Sequence, residues 1–289
     1  MFIDIWPASV SRSMMSLPIF PAPAGERAMT PSDTKPDETR QNHDHAVIAQ
    51  FTRWAGTFAA LPVHAEHSAM VRTLAACALT PASRVLDVAC GPGILACAMA
   101  EQAQHVSGID LTEAMIGQAR RRQNAAGLHN LEWHVGHAGS LPFEDGSFDC
   151  VTTRYSLHHM TDPGRILAEM KRVCCEGGRV VVIDATPAPE SQTAYDRMER
   201  IRDPSHTSAL TLMQLREVGR QCGLIEQLID GYRLEAKLEE LADPEAMPAL
   251  TEMFEADIRS GDDHLGVQAY RAVDGLRLFF PISIIAWQV

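Results

Sequence analysis

Residues 84–93 run Arg-Val-Leu-Asp-Val-Ala-Cys-Gly-Pro-Gly, and no other stretch constrains the fold as much. Arg84 to Ala89 reads as a short buried strand that carries a carboxylate, Asp87, near its end. Gly91 and Gly93 then let the chain turn tightly into a helix and let a ligand approach the backbone without a Cβ in the way. About 20 residues further on, Ile109-Asp110 ends a second strand. A carboxylate at that place can accept both hydroxyls of a ribose.

The rest of the chain repeats this alternation. Strands are expected at 106–109, 131–135, 148–153, 179–184, 224–234 and 276–287, with helices at 93–103 and 112–126, the second stopped by Gly127. Asp162-Pro163 opens a helix that runs to Gly177-Gly178. Thr211 and Gln214 have capping-box spacing for another. Two helices at the start, within 44–78, place Val47, Ile48, Phe51, Trp54, Ala55 and Phe58 at three- and four-residue intervals. The fold class is therefore α/β: a doubly wound, mostly parallel seven-stranded sheet, Rossmann-like, with helices on both faces. Segments 186–206 and 235–272 are extra and are expected to form a helical cap. Residues 1–42, rich in Pro, Ser and Thr without a period, are expected to be a disordered extension of a domain spanning 43–289.

The net charge of -12 argues against nucleic acid as the main partner. No apolar run is long enough to span a bilayer, and the N-terminus lacks the basic start of a signal peptide. Seven cysteines, an odd number without CxxC spacing, fit reduced thiols in a cytoplasmic protein. Cys174 and Cys175, adjacent near a helix end, are the pair with a chance of reacting. The histidines have no metal-ligand spacing, so no metal is expected. A homodimer is left open.

Gly91-Pro-Gly93-Ile-Leu-Ala96 also fits the dinucleotide pattern G-x-G-x-x-A. Asp87 separates the readings. It would repel a pyrophosphate, but it suits S-adenosylmethionine (SAM), which brings a sulfonium and an α-amino group and no phosphate. An NAD(P)-dependent oxidoreductase is the alternative, as is a SAM-binding protein that does not methylate.

The segment resembles motif I of class I SAM-dependent methyltransferases, in the form D-x-A-C-G-x-G. Further ordered segments match: Gly136-His-Ala-Gly-Ser-Leu-Pro-Phe143, Ser147-Phe-Asp through Leu157-His-His159, Met160-Thr-Asp-Pro163, Glu169-Met-Lys-Arg-Val173 and Gly177-Gly-Arg179. The resemblance covers about residues 45–235 and is nearest to the ubiquinone and menaquinone C-methyltransferases. It implies that Asp87, Ala89, Gly91 and Gly93 surround the methionine part of SAM and that Asp110 holds the ribose. It also implies that Leu111 and Met115 pack on the adenine, that Ala138 offers its N–H to the ring, and that Arg154 lies beside the sulfonium. The family usually has Asp after Gly136. His137 stands there instead, and it can accept a hydrogen bond from the adenine amino group only in one tautomer.

Methyl transfer from a sulfonium is a displacement in which positioning and desolvation do much of the catalysis. A base is needed only if the acceptor must lose a proton. His158 and His159, after the fourth strand, and His206, in the Arg202-Asp-Pro-Ser-His206 cluster, are the candidates. Tyr155, Arg202 and Phe58 are the candidate substrate contacts. The implied acceptor is a small, partly apolar molecule such as a quinol, phenol or secondary metabolite.

Overall fold

The structure, a computed structural model, describes residues 38–60 and 66–289. β1 (Arg84–Val88) lies in the middle of the sheet, between β2 (His105–Asp110) and β4 (Phe148–Arg154), and parallel to both. β3 (Leu131–Val135) continues the parallel sheet beyond β2, and β5 (Cys174–Ala185) beyond β4. β8 (Gly275–Gln288) then pairs antiparallel with β5, and β6 (Ile225–Lys237) antiparallel with β8. The strand order is β3-β2-β1-β4-β5-β8-β6. The chain thus winds outward one way from β1 through β3 and the other way from β4. The crevice at the carboxyl ends of β1 and β4 is the topological switch point, where such sheets bind ligands.

Alternation along the central strands divides the core in two. Val181 and Ile183 of β5 point into one buried cluster, and Val180 and Val182 into the other, all of them fully buried. α3 (Ile94–Ala100) covers the first face; α5 (Pro163–Val173) and α7 (Leu212–Gln221) cover the second. The start signals work as expected. The Asp162 carboxylate accepts from Arg165 N at 3.0 Å, Thr211 and Gln214 close a capping box, and Gly127 ends α4 (Glu113–Ala126) with φ 64°.

Four expectations need correction. The first helix, α1, spans Glu38–Ala60, so residues 38–42 are helical; residues 1–37 lie outside the described residues. α5 stops at Val173 rather than at the twin glycines, because Cys174 already pairs with Phe148 of β4. Gly178 is needed for close packing there: a Cβ on it would lie 2.7 Å from Cys174 Sγ and 3.0 Å from Asp149 O. The surroundings of the cysteine pair disfavour the reactive thiolate, since burial pushes Cys174 up to about 12 and also raises Cys175.

The last correction concerns the cap. α6 (Gln192–Arg202) is helical as expected, but 235–272 begins as strand. β6 stays paired with β8 out to Lys237–Arg277, whereas β5 leaves β8 at Ala185–Ile282. A two-stranded arm therefore rises past the parallel sheet and carries α8 (Leu238–Leu241), α9 (Met247–Ser260) and β7 (Tyr270–Ala272). β7 pairs with β8 and makes the sheet eight-stranded rather than seven-stranded. α2 (His67–Cys77) packs against β5, β6 and β8. No helix among the described residues is long and apolar enough to cross a membrane.

Candidate active site

Six of the ten expected cofactor residues line one cleft at the switch point: Asp87, Ala89, Gly91, Asp110, Met115 and Arg154. The turn that builds it is held by its own backbone. Cys90 N donates to Ile109 O at 3.0 Å, tying the turn to the end of β2. Ala89, Gly91 and Gly93 all have positive φ, at 53°, 53° and 73°. Such a conformation is costly for Ala89 and free for the glycines. A Cβ on Gly91 would meet no atom of the described residues within 4 Å, so its open side faces the cleft. Gly93 does not line the cleft. A Cβ there would lie 2.7 Å from the Trp133 ring and 2.9 Å from Ala119 Cβ, so this glycine serves helix packing.

The two carboxylates differ in how much they have left to give. Asp110 accepts from Gly91 N, Thr112 N and Thr112 Oγ1, at 2.9, 2.9 and 2.8 Å. A carboxylate has about four lone-pair sites, so Asp110 retains about one rather than the two that a pair of hydroxyls would take. Its first task is to pin the glycine turn. Asp87 is 2% exposed and accepts from Thr152 Oγ1 at 3.1 Å through Oδ1, while its buried Oδ2 has no hydrogen-bond partner among the described residues. Burial pushes its pKa up to about 7, against the opposing pull of Thr152 and the Arg154 charge. An unpartnered carboxylate oxygen at the cleft is a site for a cation or an N–H donor.

Leu111, His137 and Ala138 do not line the cleft. Ala138 is buried in the core on the α5 side. His137 Nδ1 accepts from Gly139 N at 2.8 Å, and its Nε2 lies 3.5 Å from Asp44 Oδ1 on α1. In a neutral ring the acceptor nitrogen is thereby already used, and His137 cannot supply the acceptor expected of it.

A second chamber of about 810 Å³, mouth included, adjoins the first. Phe51, Trp54, Leu234, Leu241, Phe280 and Ile282 give it apolar walls; His158, Asp184, Glu199 and Arg202 make one side polar. Phe51, Tyr155 and His159 line both chambers and so mark where they meet. α1 covers this junction. The Phe51 ring stands edge-on to His159 at 5.1 Å, and His43 Nε2 lies 2.7 Å from the His159 carbonyl. Tyr155 has φ 55°, an outlier for a bulky residue, and its hydroxyl lies 2.5 Å from that of Tyr232 on β6.

The three candidate histidines separate. His158 Nδ1 lies 2.5 Å from Asp184 Oδ1. Burial lowers the His158 pKa, but the Asp184 charge outweighs it and holds the ring above its ordinary value. His159, 7% exposed, is lowered to about 3 by burial and by the neighbouring His158, so it is neutral at pH 7. His206 lines neither chamber; its side chain is 1% exposed and its Nε2 lies 2.8 Å from Asp196 Oδ1. The structure thus places His206 outside both chambers, contrary to the catalytic position expected of it, and behind His158, whose ring centroid is 5.5 Å away.

Arg202 does line the second chamber, at the end of α6, where it forks onto Glu199 at 3.0 and 2.6 Å. Phe58 lies on α1, but its side chain is outside the described residues. The sequence reading missed Asp184, Glu199, Tyr195 and Phe280. Asp184 was within reach, because it sits at the carboxyl end of a Val-rich strand. The others arrive from the cap and arm, which carry no motif.

The family model described as a methyltransferase domain matches residues 86–182. The uncharacterized methyltransferase YcgJ of Bacillus subtilis is 35% identical over 133 residues, 45% of this chain and 53% of that protein. The demethylmenaquinone methyltransferase of Clavibacter sepedonicus is 36% identical over 137 residues, 47% of this chain and 55% of that protein. The chain thus spans about half the length of these relatives. The crystal structure of YcgJ superposes with a TM-score of 0.69 at 23% identity, covering 77% of this chain and 98% of that one, and bears out the fold. Over residues 86–182, then, the chain is similar to the methyltransferase domain that its sequence motifs resemble.

Proposed function

We propose that the protein is a SAM-dependent methyltransferase acting on a small, largely apolar acceptor. The observation that carries this reading is the junction of two chambers of opposite character. One offers the unpartnered Asp87 oxygen and the open backbone of Gly91; the other is walled by aromatic and aliphatic side chains. Asp87 fits a cationic ligand and opposes a pyrophosphate, which speaks against a nicotinamide cofactor. When bound, SAM would supply an already activated methyl group. Asp87, Ala89, Gly91, Asp110, Met115 and Arg154 are the residues available to hold it.

What the protein itself contributes is enclosure. Phe51 and Trp54 on α1 cover the acceptor chamber from one side, and Leu234, Phe280 and Ile282 on the arm from the other. Water is excluded from the reacting pair, which strengthens every electrostatic contact around it. The relatives named for demethylmenaquinone support an apolar acceptor of the quinol or phenol kind. Calorimetric titration with S-adenosylhomocysteine, with NADH and NADPH as controls, tests the cofactor. Micromolar binding of the first alone is expected, and preference for a nicotinamide overturns the reading. Incubation with methyl-labelled SAM and candidate phenols then separates an enzyme from a protein that only binds SAM.

A further inference from the structure

The polar side of the second chamber carries more chemistry than an apolar acceptor needs. His158 is held from three directions. Its Nδ1 meets Asp184 Oδ1 at 2.5 Å, and its backbone N donates to Asp184 Oδ2 at 3.3 Å. Its carbonyl accepts from Thr207 N and Oγ1 at 2.9 and 2.7 Å. Asp184 is fixed in turn, accepting from Leu157 N and Ala185 N, each at 2.7 Å. With Nδ1–H donated to the carboxylate, the lone pair of the neutral ring sits on Nε2. Nε2 has no hydrogen-bond partner among the described residues, and the ring borders the chamber.

Arg202 stands on the same wall. Its Nε and one terminal nitrogen fork onto Glu199, while Nη1 has no hydrogen-bond partner among the described residues. The pair is charge-balanced, yet three of the five N–H donors of the guanidinium remain unspent, two of them on Nη1. Burial opposes the charge on Arg202, but Glu199 more than offsets it, so the guanidinium stays cationic.

Resting on the methyltransferase reading above, we propose that the acceptor is a weakly acidic hydroxyl compound, a phenol or enol. His158 Nε2 takes its proton and Arg202 Nη1 holds the resulting oxyanion. The O–H bond breaks and its proton passes to Nε2. The electron pair left behind, on the oxygen or on the conjugated carbon, forms the bond to the methyl carbon. The C–S pair returns to sulfur, and the proton leaves His158 for solvent. The apolar remainder of the acceptor lies against Phe51, Trp54 and Phe280.

Three other titratable groups among the chamber's described residues are less suited to the base role. His159 is too weak a base at neutral pH, Glu199 is committed to Arg202, and Asp203 Oδ1 is held by Ser205 N and Oγ at 2.9 and 2.6 Å. The charged and titratable groups facing His158 are Asp184 on β5, Glu199 and Arg202 on α6, the adjacent His159, and His206 after α6.

The test uses 4-nitrophenol, whose anion is yellow and whose neutral form is nearly colourless, with the full chain at a pH about one unit below the probe's own midpoint. Wild type is expected to bind it as the yellow anion. His158→Gln and Arg202→Lys are each expected to weaken that binding about tenfold, and the first to leave the bound probe colourless. Unchanged melting temperature and S-adenosylhomocysteine affinity certify that both variants fold. The proposal is overturned if wild type binds the neutral form, if it does not bind the probe, or if both variants keep wild-type anion binding. The methyltransferase reading fails separately, through loss of S-adenosylhomocysteine binding in wild type, and that readout does not depend on the probe.

Discussion

The two chambers share three side chains but are built in opposite ways. The cofactor cleft is local: apart from Phe51, its lining comes from residues 87–159, and its key features are backbone conformations at 89–93. The second chamber, proposed above for the acceptor, draws on α1, β5, α6, β6, α8 and β8, from Gln50 to Ile282, and is built from side chains. A backbone turn of unusual φ restricts residue type sharply and leaves a sequence mark. A wall of Leu, Phe and Ile restricts almost nothing and looks like any core.

The largest expected effect sharpens this contrast within a single motif. Gly91→Val should lower S-adenosylhomocysteine affinity about a hundredfold or more, through positive-φ strain and a side chain pointing into the cleft. The melting temperature should fall little, since a Cβ there meets no atom of the described residues within 4 Å. Gly93→Val should do the reverse, losing stability first, because its Cβ collides with Trp133 and Ala119. If both variants lose affinity at unchanged stability, Gly93 belongs to the ligand after all.

Asp87 comes next. With its pKa pushed up to about 7, Asp87 should favour a ligand's ammonium group, which S-adenosylhomocysteine keeps, more strongly as pH rises and the carboxylate ionises. Affinity for S-adenosylhomocysteine should increase about tenfold from pH 6 to pH 8 and level off above that. Asp87→Asn should bind about tenfold more weakly at pH 8 and lose the dependence. A flat wild-type profile would mean that the Asp87 oxygen meets no charge in the complex. The sign for stability is opposite. A carboxyl raised from 3.8 to about 7 contributes fully below 3.8, and its contribution fades as pH rises through 7, so ligand and fold pull on this group in different directions.

The same contrast explains what was legible. The glycine turn, the caps at Asp162 and Thr211 and the two carboxylates each rest on a residue that few others could replace. The arm was not legible, because Ile225–Lys237 continues as strand past the point where turn chemistry or a parallel partner would mark its end. Nor was the Asp184–His158 pair, whose members are 26 residues apart and meet only because β4 and β5 are neighbours. His137 misled for a related reason: its role depended on which nitrogen Gly139 would occupy.

On the acceptor side the effects should be smaller and confined. Trp54→Ala removes one aromatic wall contributed by α1. It should raise the KM for a phenolic acceptor about tenfold through lost apolar contact, with S-adenosylhomocysteine affinity unchanged. Steady-state kinetics paired with calorimetry reads both. A parallel loss of cofactor affinity would break the division, and would mean that α1 closes over the two chambers as one lid.

The smallest expected effect on turnover belongs to His206. Its ring is buried, its Nε2 engages Asp196, and Asp196 also accepts from Ser208 Oγ and Ala209 N at 2.7 and 2.9 Å. Removing the ring leaves a buried carboxylate oxygen short of a partner and a cavity behind His158. His206→Ala should therefore cost about 1–3 kcal/mol of stability in denaturant unfolding. Turnover should change only a few fold, against the roughly hundredfold loss expected of a missing base in His158→Gln. Because the two rings lie 5.5 Å apart, the comparison is severe. If His206→Ala loses turnover as heavily as His158→Gln while its unfolding midpoint stays put, the proton leaves the chamber through His206, and the base is a relay of two rings rather than one.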